Sequence, residues 1–325
     1  MWLFFVDFFN GEFMSIEYPI VAITGSSGAG SSYVTRAFEH IFEQERVRAV
    51  YIQGSAFHRY ERKEMQVELI KAHKQGKRLS HYGPEGNCLD KLETLFFQYS
   101  ATGSGMHRHY LHSREFADKW GQQPGTLTPW KKLKKNSDLL LYRGLHGAAV
   151  TDEIDISEYP DLTIGVVPNV NLEWIRKIKR DTSLRDYSAD EVRQSILDRM
   201  YDYIHHITPQ FNRTHINLQM IPTVDTSDPF SIKNIPEEHE CLMVIHFCKK
   251  IDIDFIKLLQ SLPDSFMSRS DTMVVPASQM AHALEVIMTP LIHDLVSKSR
   301  KLRNIKKQPK QKKSGLIGLW GQSTM

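Results

Sequence analysis

The chain has 325 residues, 41% of them hydrophobic, with 41 Lys and Arg against 38 Asp and Glu and only three Cys. That length supports one large core or two ordinary ones, and the composition excludes a disordered or disulfide-built protein. Nine basic residues and no acid lie between Lys298 and Lys313, so the remainder carries 32 basic against 38 acidic residues, which argues against a nucleic-acid-binding face on the folded part.

Residues 1–13, MWLFFVDFFNGEF, are apolar but carry no basic leader and no small-residue cleavage site, so they read as an extension upstream of a domain spanning 14–300. No run of about 18 apolar residues occurs, as a membrane-spanning helix needs. Cys88, Cys241 and Cys248 lack metal-ligand spacing and fit a reducing cytoplasm.

In chain order, Pro19 to Thr24 is a short apolar run closed by Gly25, and Val34, Ala37, Phe38 and Ile41 then recur at helical spacing. Further strands are expected at Val47 to Gln53, Leu139 to Arg143, Leu162 to Pro168, Met220 to Asp225, Cys241 to Phe247 and Thr272 to Pro276. Several are apolar throughout, as strands buried on both faces must be. Helical patterns lie between them at Glu61 to Gln75, Cys88 to Tyr99, Leu172 to Lys179, Ala189 to His205, Phe255 to Leu262 and Met280 to Ser299. This alternation predicts a three-layer α/β domain with a mixed, largely parallel central sheet. Residues 301–325 read as a basic, disordered tail, with a weak anionic-membrane or RNA contact as the alternative.

The first strand runs into Gly25-Ser26-Ser27-Gly28-Ala29-Gly30-Ser31-Ser32, which opens the first helix. Strand, glycine-rich turn and helix is the context that the phosphate-loop pattern G-x-x-x-x-G-K-[ST] requires. Small residues let successive backbone N–H groups face a polyphosphate, and the helix terminus adds partial positive charge. Ser31 stands where the pattern has lysine, while Ser32 keeps the hydroxyl expected to ligate Mg²⁺.

Read together, AITGSSGAGSS, GSAFHRY, HYGPEGN, PGTLTPW, LLLYRGLHG, IGVVPNVNLEWIRKIKRD, THINLQMIPTVDTSDPF and VIMTPLI resemble the phosphoribulokinases of the proteobacterial type, from about Pro19 to about Leu295. The resemblance implies a P-loop kinase fold that uses MgATP to phosphorylate O1 of ribulose 5-phosphate. It also implies a cytoplasmic homo-oligomer, octameric in the bacterial branch, with response to NADH and AMP, and a hydroxyl residue in place of the loop lysine.

Carried over by position, the resemblance assigns His58, Arg59 and Arg62 to the sugar-phosphate side, Tyr110 and His112 to a substrate-side segment, and Lys177, Arg180 and Asp181 to the transferring phosphoryl group and substrate. Two positions depart from it. Ser55 stands where the family has the aspartate that takes the substrate's proton, a function typically worth about 10² to 10⁴ in rate; Asp181 and Glu61 are the carboxylates open as substitutes. Arg143 stands where the family has a glutamate beside Mg²⁺, and is expected as a surface cation, with direct contact to phosphate as the alternative. Near Asp198 and Arg199 the family carries an additional arginine. Two functional readings follow: an ATP-dependent phosphotransferase of impaired turnover, or an inactive relative that binds nucleotide or sugar phosphate. His107, His109 and His112 form an HxHxxH pattern without a fourth ligand, so loop histidines are expected there, and not a metal.

Overall fold

The computed structural model describes residues 17–26, 28–134, 136–184, 187–231, 234–249, 253–303 and 315–317. Its elements are β1 (Ile20–Thr24), α1 (Ser31–Gln44), β2 (Arg48–Gln53), α2 (Arg62–Lys74), α3 (Leu89–Thr102), β3 (Met106–His107), α4 (Arg114–Asp118), β4 (Lys131–Lys132), β5 (Leu139–Gly144) and β6 (Leu162–Val167). There follow α5 (Val170–Leu184), α6 (Ala189–Asp198), α7 (Met200–Asp202), β7 (Ile216–Pro222), β8 (Cys241–Phe247), α8 (Phe255–Gln260), β9 (Phe266–Arg269), β10 (Thr272–Pro276), α9 (Met280–Leu302) and β11 (Gly315–Ile317).

Nine strands form one sheet in the order β11-β2-β5-β1-β6-β7-β8-β10-β9. The strands from β11 to β7 are parallel, and β8, β10 and β9 continue antiparallel. All five residues of β1 are buried, and they alternate between two cores. Val21 and Ile23 join Leu139 and Leu141 of β5 against Phe38, Ile41 and Phe42 of α1 and the apolar face of α9. Ile20 and Ala22 join Leu140 and Tyr142 on the other side, against Leu92, Leu95, Phe96 and Tyr99 of α3. A central parallel strand covered on both faces has to be apolar at every position, as β1 is.

Several expectations shift, among them the helix expected from Ala189 to His205, which is interrupted at Arg199 between α6 and α7. The strand expected at Met220 to Asp225 begins four residues earlier, at Ile216, because Ile216, Leu218 and Met220 face one core while Asn217 and Gln219 face the other way. The helix expected to end at Ser299 continues to Leu302, and Gly315–Ile317 lies parallel to β2, inside the segment the sequence sets as a tail. Residues 304–314 and 318–325 of that segment and the N-terminal extension fall outside the described residues.

Candidate active site

β2, β5, β1 and β6 run parallel, so their carboxyl ends share one edge of the sheet, the edge at which open α/β sheets bind ligands. A cleft of about 520 Å³ opens there.

The loop after β1 forms its floor. Gly25 has φ of 152°, and a Cβ on it would lie 2.4 Å from the Val166 carbonyl oxygen, so only glycine turns the chain this close to β6. Gly28 packs so tightly on α5 that a Cβ would meet the Glu173 side chain at 2.8 Å. The Arg176 guanidinium, also from α5, donates to the Gly28 carbonyl at 3.4 Å. Gly30 caps α1 with no side-chain hydrogen bond, which leaves the first amides of a 14-residue helix for a ligand. Gly25, Ser26, Gly28, Ser31 and Ser32 line the cleft; Ala29 is buried behind it, and Ser27 lies outside the described residues.

Arg143, at the end of β5, does not point to the surface as expected. Its Nε and Nη2 donate to Ser31 Oγ at 3.1 and 3.0 Å, and Nη2 donates to Ser32 Oγ at 2.8 Å. β5 lies directly beside β1, with Arg143 paired to Ile23 and Gly144 to Thr24, so the side chain needs only to turn over the loop. A cation thus sits against the residue that replaces the loop lysine, supplied by the neighbouring strand.

The same placement does not fit Mg²⁺. The hydroxyl expected to bind the metal already accepts a guanidinium hydrogen bond, and the neighbouring acid position carries positive charge. At about 4 Å and an effective dielectric near 20 a unit charge pair is worth roughly 4 kcal/mol, so a dication there is opposed by roughly twice that before solvent screening. Among the described residues no group of three or more His, Cys, Asp and Glu is placed to hold a metal ion.

Opposite the loop, α5 presents Lys177 and Arg180. Lys177 Nζ and Arg180 Nε each donate to Asp181 at 2.9 Å, and Lys177 and Arg180 line the cleft. Burial opposes the Asp181 charge, but the two cations override it and hold the carboxyl down to about 2. A carboxylate that acidic and that buried is a poor proton acceptor; it orients its two partners instead. Burial lowers Lys177 from the usual lysine range, with Arg199 acting in the same direction.

At the end of β2, Ser55 Oγ lies 3.0 Å from His112 Nε2, and both line the cleft. His58 also lines it and is pushed down to about 4 by burial. Its Nδ1 is 3.1 Å from Asn87 Oδ1, while the Asn87 amide nitrogen donates to the carbonyls of His81 and Gly83. Asn87 therefore presents its oxygen to His58, which assigns the proton to Nδ1 and leaves Nε2 an acceptor. His81, its ring tilted by 33° and 4.0 Å from that of His58, is held down to about 2, and His146 to about 4, both chiefly by burial.

Other expected residues stand behind the wall. Arg59 donates to the carbonyls of Glu85 and Asn87, and Arg62 to that of His112. Tyr110 is buried edge-on to His58 at 5.3 Å and lies 4.7 Å from His112. Glu61 caps α2 and accepts from the Leu127 amide, which removes it as a substitute base. His107 and His109 meet edge to face, with Trp120 5.4 Å from His109. Asp198 is bonded to Gln194 on the exposed side of α6, whereas Arg199 turns into the cleft.

Sequence reasoning passed over Arg199, Glu173, His81 and His146 as cleft residues. Glu173 is the least expected, a carboxyl raised by burial and eased by the Ser26 hydroxyl and by Lys177 and Arg180. Its i, i+4 spacing to Lys177 was the available signal.

Residues 20–227 match the Phosphoribulokinase / Uridine kinase family. The chain is 50% identical over 289 residues to "Phosphoribulokinase, chromosomal" of Cupriavidus necator, covering 89% of this chain and 99% of that one. It is 47% identical to "Probable phosphoribulokinase" of Escherichia coli, covering 87% and 98%. Among solved structures, phosphoribulokinase from Rhodobacter spheroides superposes with a TM-score of 0.80 at 43% identity, covering 88% of this chain and all of that one.

Proposed function

The chain belongs to the phosphoribulokinase / uridine kinase family, and we propose that it transfers the terminal phosphoryl group of ATP to O1 of ribulose 5-phosphate, at a rate reduced by Ser55 and Arg143. The observation that carries this reading is the cleft itself: Gly25, Ser26, Gly28, Ser31 and Ser32 of the loop after β1 line one cavity with Lys177, Arg180 and Arg199, and the Ser55–His112 pair is also on its wall. Such an arrangement suits a polyphosphate on one side and an anionic sugar on the other.

In this reading the loop from Gly25 to Ser32 cradles the ATP polyphosphate. Lys177 and Arg180, fixed by Asp181, neutralise charge between the transferring phosphoryl group and the substrate. Neutral His58, with Nε2 as acceptor, receives a sugar hydroxyl and not a phosphate oxygen, while Arg59, Arg62 and Tyr110 position His58 and His112. The acceptor hydroxyl forms its bond to the terminal phosphorus as the bond to ADP breaks. Its proton passes to Ser55, whose own proton moves to His112. A hydroxyl relayed to imidazole is a weaker base than a carboxylate, which is one source of the reduced rate.

A second reading, a nucleotide-binding and sugar-phosphate-binding module without turnover, is favoured by the Arg143 bonds to Ser31 and Ser32. Sugar-dependent ADP release by the purified chain with ATP and ribulose 5-phosphate decides between them. Slow release that requires the sugar supports the transferase; none, with both ligands bound, supports the module. A soluble homo-oligomer in the cytoplasm, regulated by NADH and AMP, accompanies the first reading; among the described residues no helix is long and apolar enough to cross a membrane.

A further inference from the structure

The place that a divalent cation would take at this loop is held by a side chain of the protein itself. Arg143 binds both hydroxyls at the start of α1 through Nε and Nη2. Ser31 is buried, and its Oγ lies 3.5 Å from the Ser26 carbonyl, which directs its proton there and its lone pairs at Arg143. A guanidinium has five N–H groups, and these bonds use the one on Nε and the two on Nη2. The two on Nη1 have no partner among the described residues, and Arg143 lines the cleft. The two remaining donors share one nitrogen and diverge, so held in place by the serine bonds they can each reach one oxygen of a phosphate chain.

We propose that this loop binds the polyphosphate of a nucleoside triphosphate without a divalent metal, Arg143 supplying the charge and, through Nη1, the donor contacts in the metal's place. The proposal rests on the reading of the cleft as a nucleotide site and goes beyond it, because metal dependence and nucleotide binding are separable. Free ATP⁴⁻ and inorganic tripolyphosphate are then ligands of the loop. Added Mg²⁺ draws the nucleotide into a complex that the Arg143 charge disfavours.

Calorimetric titration of the full chain with ATP, in excess EDTA and again in excess Mg²⁺, tests this, with tripolyphosphate as a second probe in EDTA. The expected dissociation constant for ATP in EDTA is equal to or tighter than that in Mg²⁺. Arg143→Glu is expected to lose EDTA binding by about 100-fold or more and to regain affinity when Mg²⁺ is added. Arg143→Lys, which keeps the charge without the serine-held Nη1 donors, lies between and guards against a folding defect in the glutamate variant. Wild-type binding that weakens about tenfold or more in EDTA overturns the proposal while leaving the nucleotide site intact. Absence of binding under both conditions overturns the proposal and the nucleotide site together.

Discussion

His112 Nε2 lies 3.0 Å from Ser55 Oγ, so the hydroxyl proposed to take the acceptor's proton has an imidazole behind it. The hydroxyl alone has no useful basicity near neutral pH, and the pair gives its proton somewhere to go. Ser55→Asp is expected to raise sugar-dependent turnover by about 10² or more, within the range a positioned base supplies. His112→Asn in the Ser55 background is expected to lower turnover about tenfold or more and to leave ATP affinity unchanged, and to matter less once Ser55 is aspartate. A coupled ADP-release assay on the four chains measures both. Equal effects of His112→Asn in the two backgrounds contradict the relay.

The stability of the fold should fall in mild acid. Burial holds His58, His81 and His146 at about 4, about 2 and about 4, and His107 and His215 at about 4 and about 3. Between the ordinary histidine value near 6.5 and these lowered values, the unfolded chain binds protons that the folded chain does not. Stability is therefore fully present above about pH 6.5 and is lost as pH falls toward 4, each group contributing up to about 1.4 kcal/mol per pH unit. Asp161, pushed up to about 7 by burial, and Glu173, also raised, act in the opposite direction but are outnumbered. Urea unfolding from pH 7 to pH 4 measures the slope, and His81→Gln should reduce it by one group's share.

Much of this architecture is legible in the sequence, and the exceptions have physical reasons. Pro19 to Thr24 and the helical spacing of Val34, Phe38 and Ile41 mark β1 and α1 because both are buried where apolar periodicity is strongest. β9, FMSR, is missed because it is an edge strand with mostly exposed residues and no alternation that stands out. In the site, the loop is marked by its glycines between β1 and α1, while the cations of α5 are marked only by the family resemblance. The inward turn of Arg143 is not, since it depends on β5 lying next to β1, a pairing separated by more than a hundred residues. Arg199 is obscured for a local reason, lying at the break between α6 and α7 that the helical pattern does not mark.

Asp181 is expected to matter through its neighbours. Removing it leaves two partly buried cations, Lys177 and Arg180, facing each other without their shared anion. Asp181→Ala should destabilise the chain by about 3 to 5 kcal/mol, the usual cost of breaking a buried ion pair. Chemical denaturation measures this, and a loss under about 1 kcal/mol contradicts the assigned role.

Gly25→Ala places a Cβ 2.4 Å from the Val166 carbonyl oxygen at a φ that other residues rarely adopt. The loop must shift, at a cost of about 1 to 3 kcal/mol. The measurable result is a lower unfolding midpoint together with weakened ATP binding; unchanged affinity would place the polyphosphate elsewhere in the cleft.

Identification of the phosphorylated sugar formed by wild type and by Ser55→Asp/Arg143→Glu, incubated with ATP, Mg²⁺ and ribulose 5-phosphate, bears most directly on the whole account. The predicted result is ribulose 1,5-bisphosphate from both, formed faster by the double variant. No bisphosphate from either chain, or formation by wild type at the rate of the double variant or above it, would contradict it.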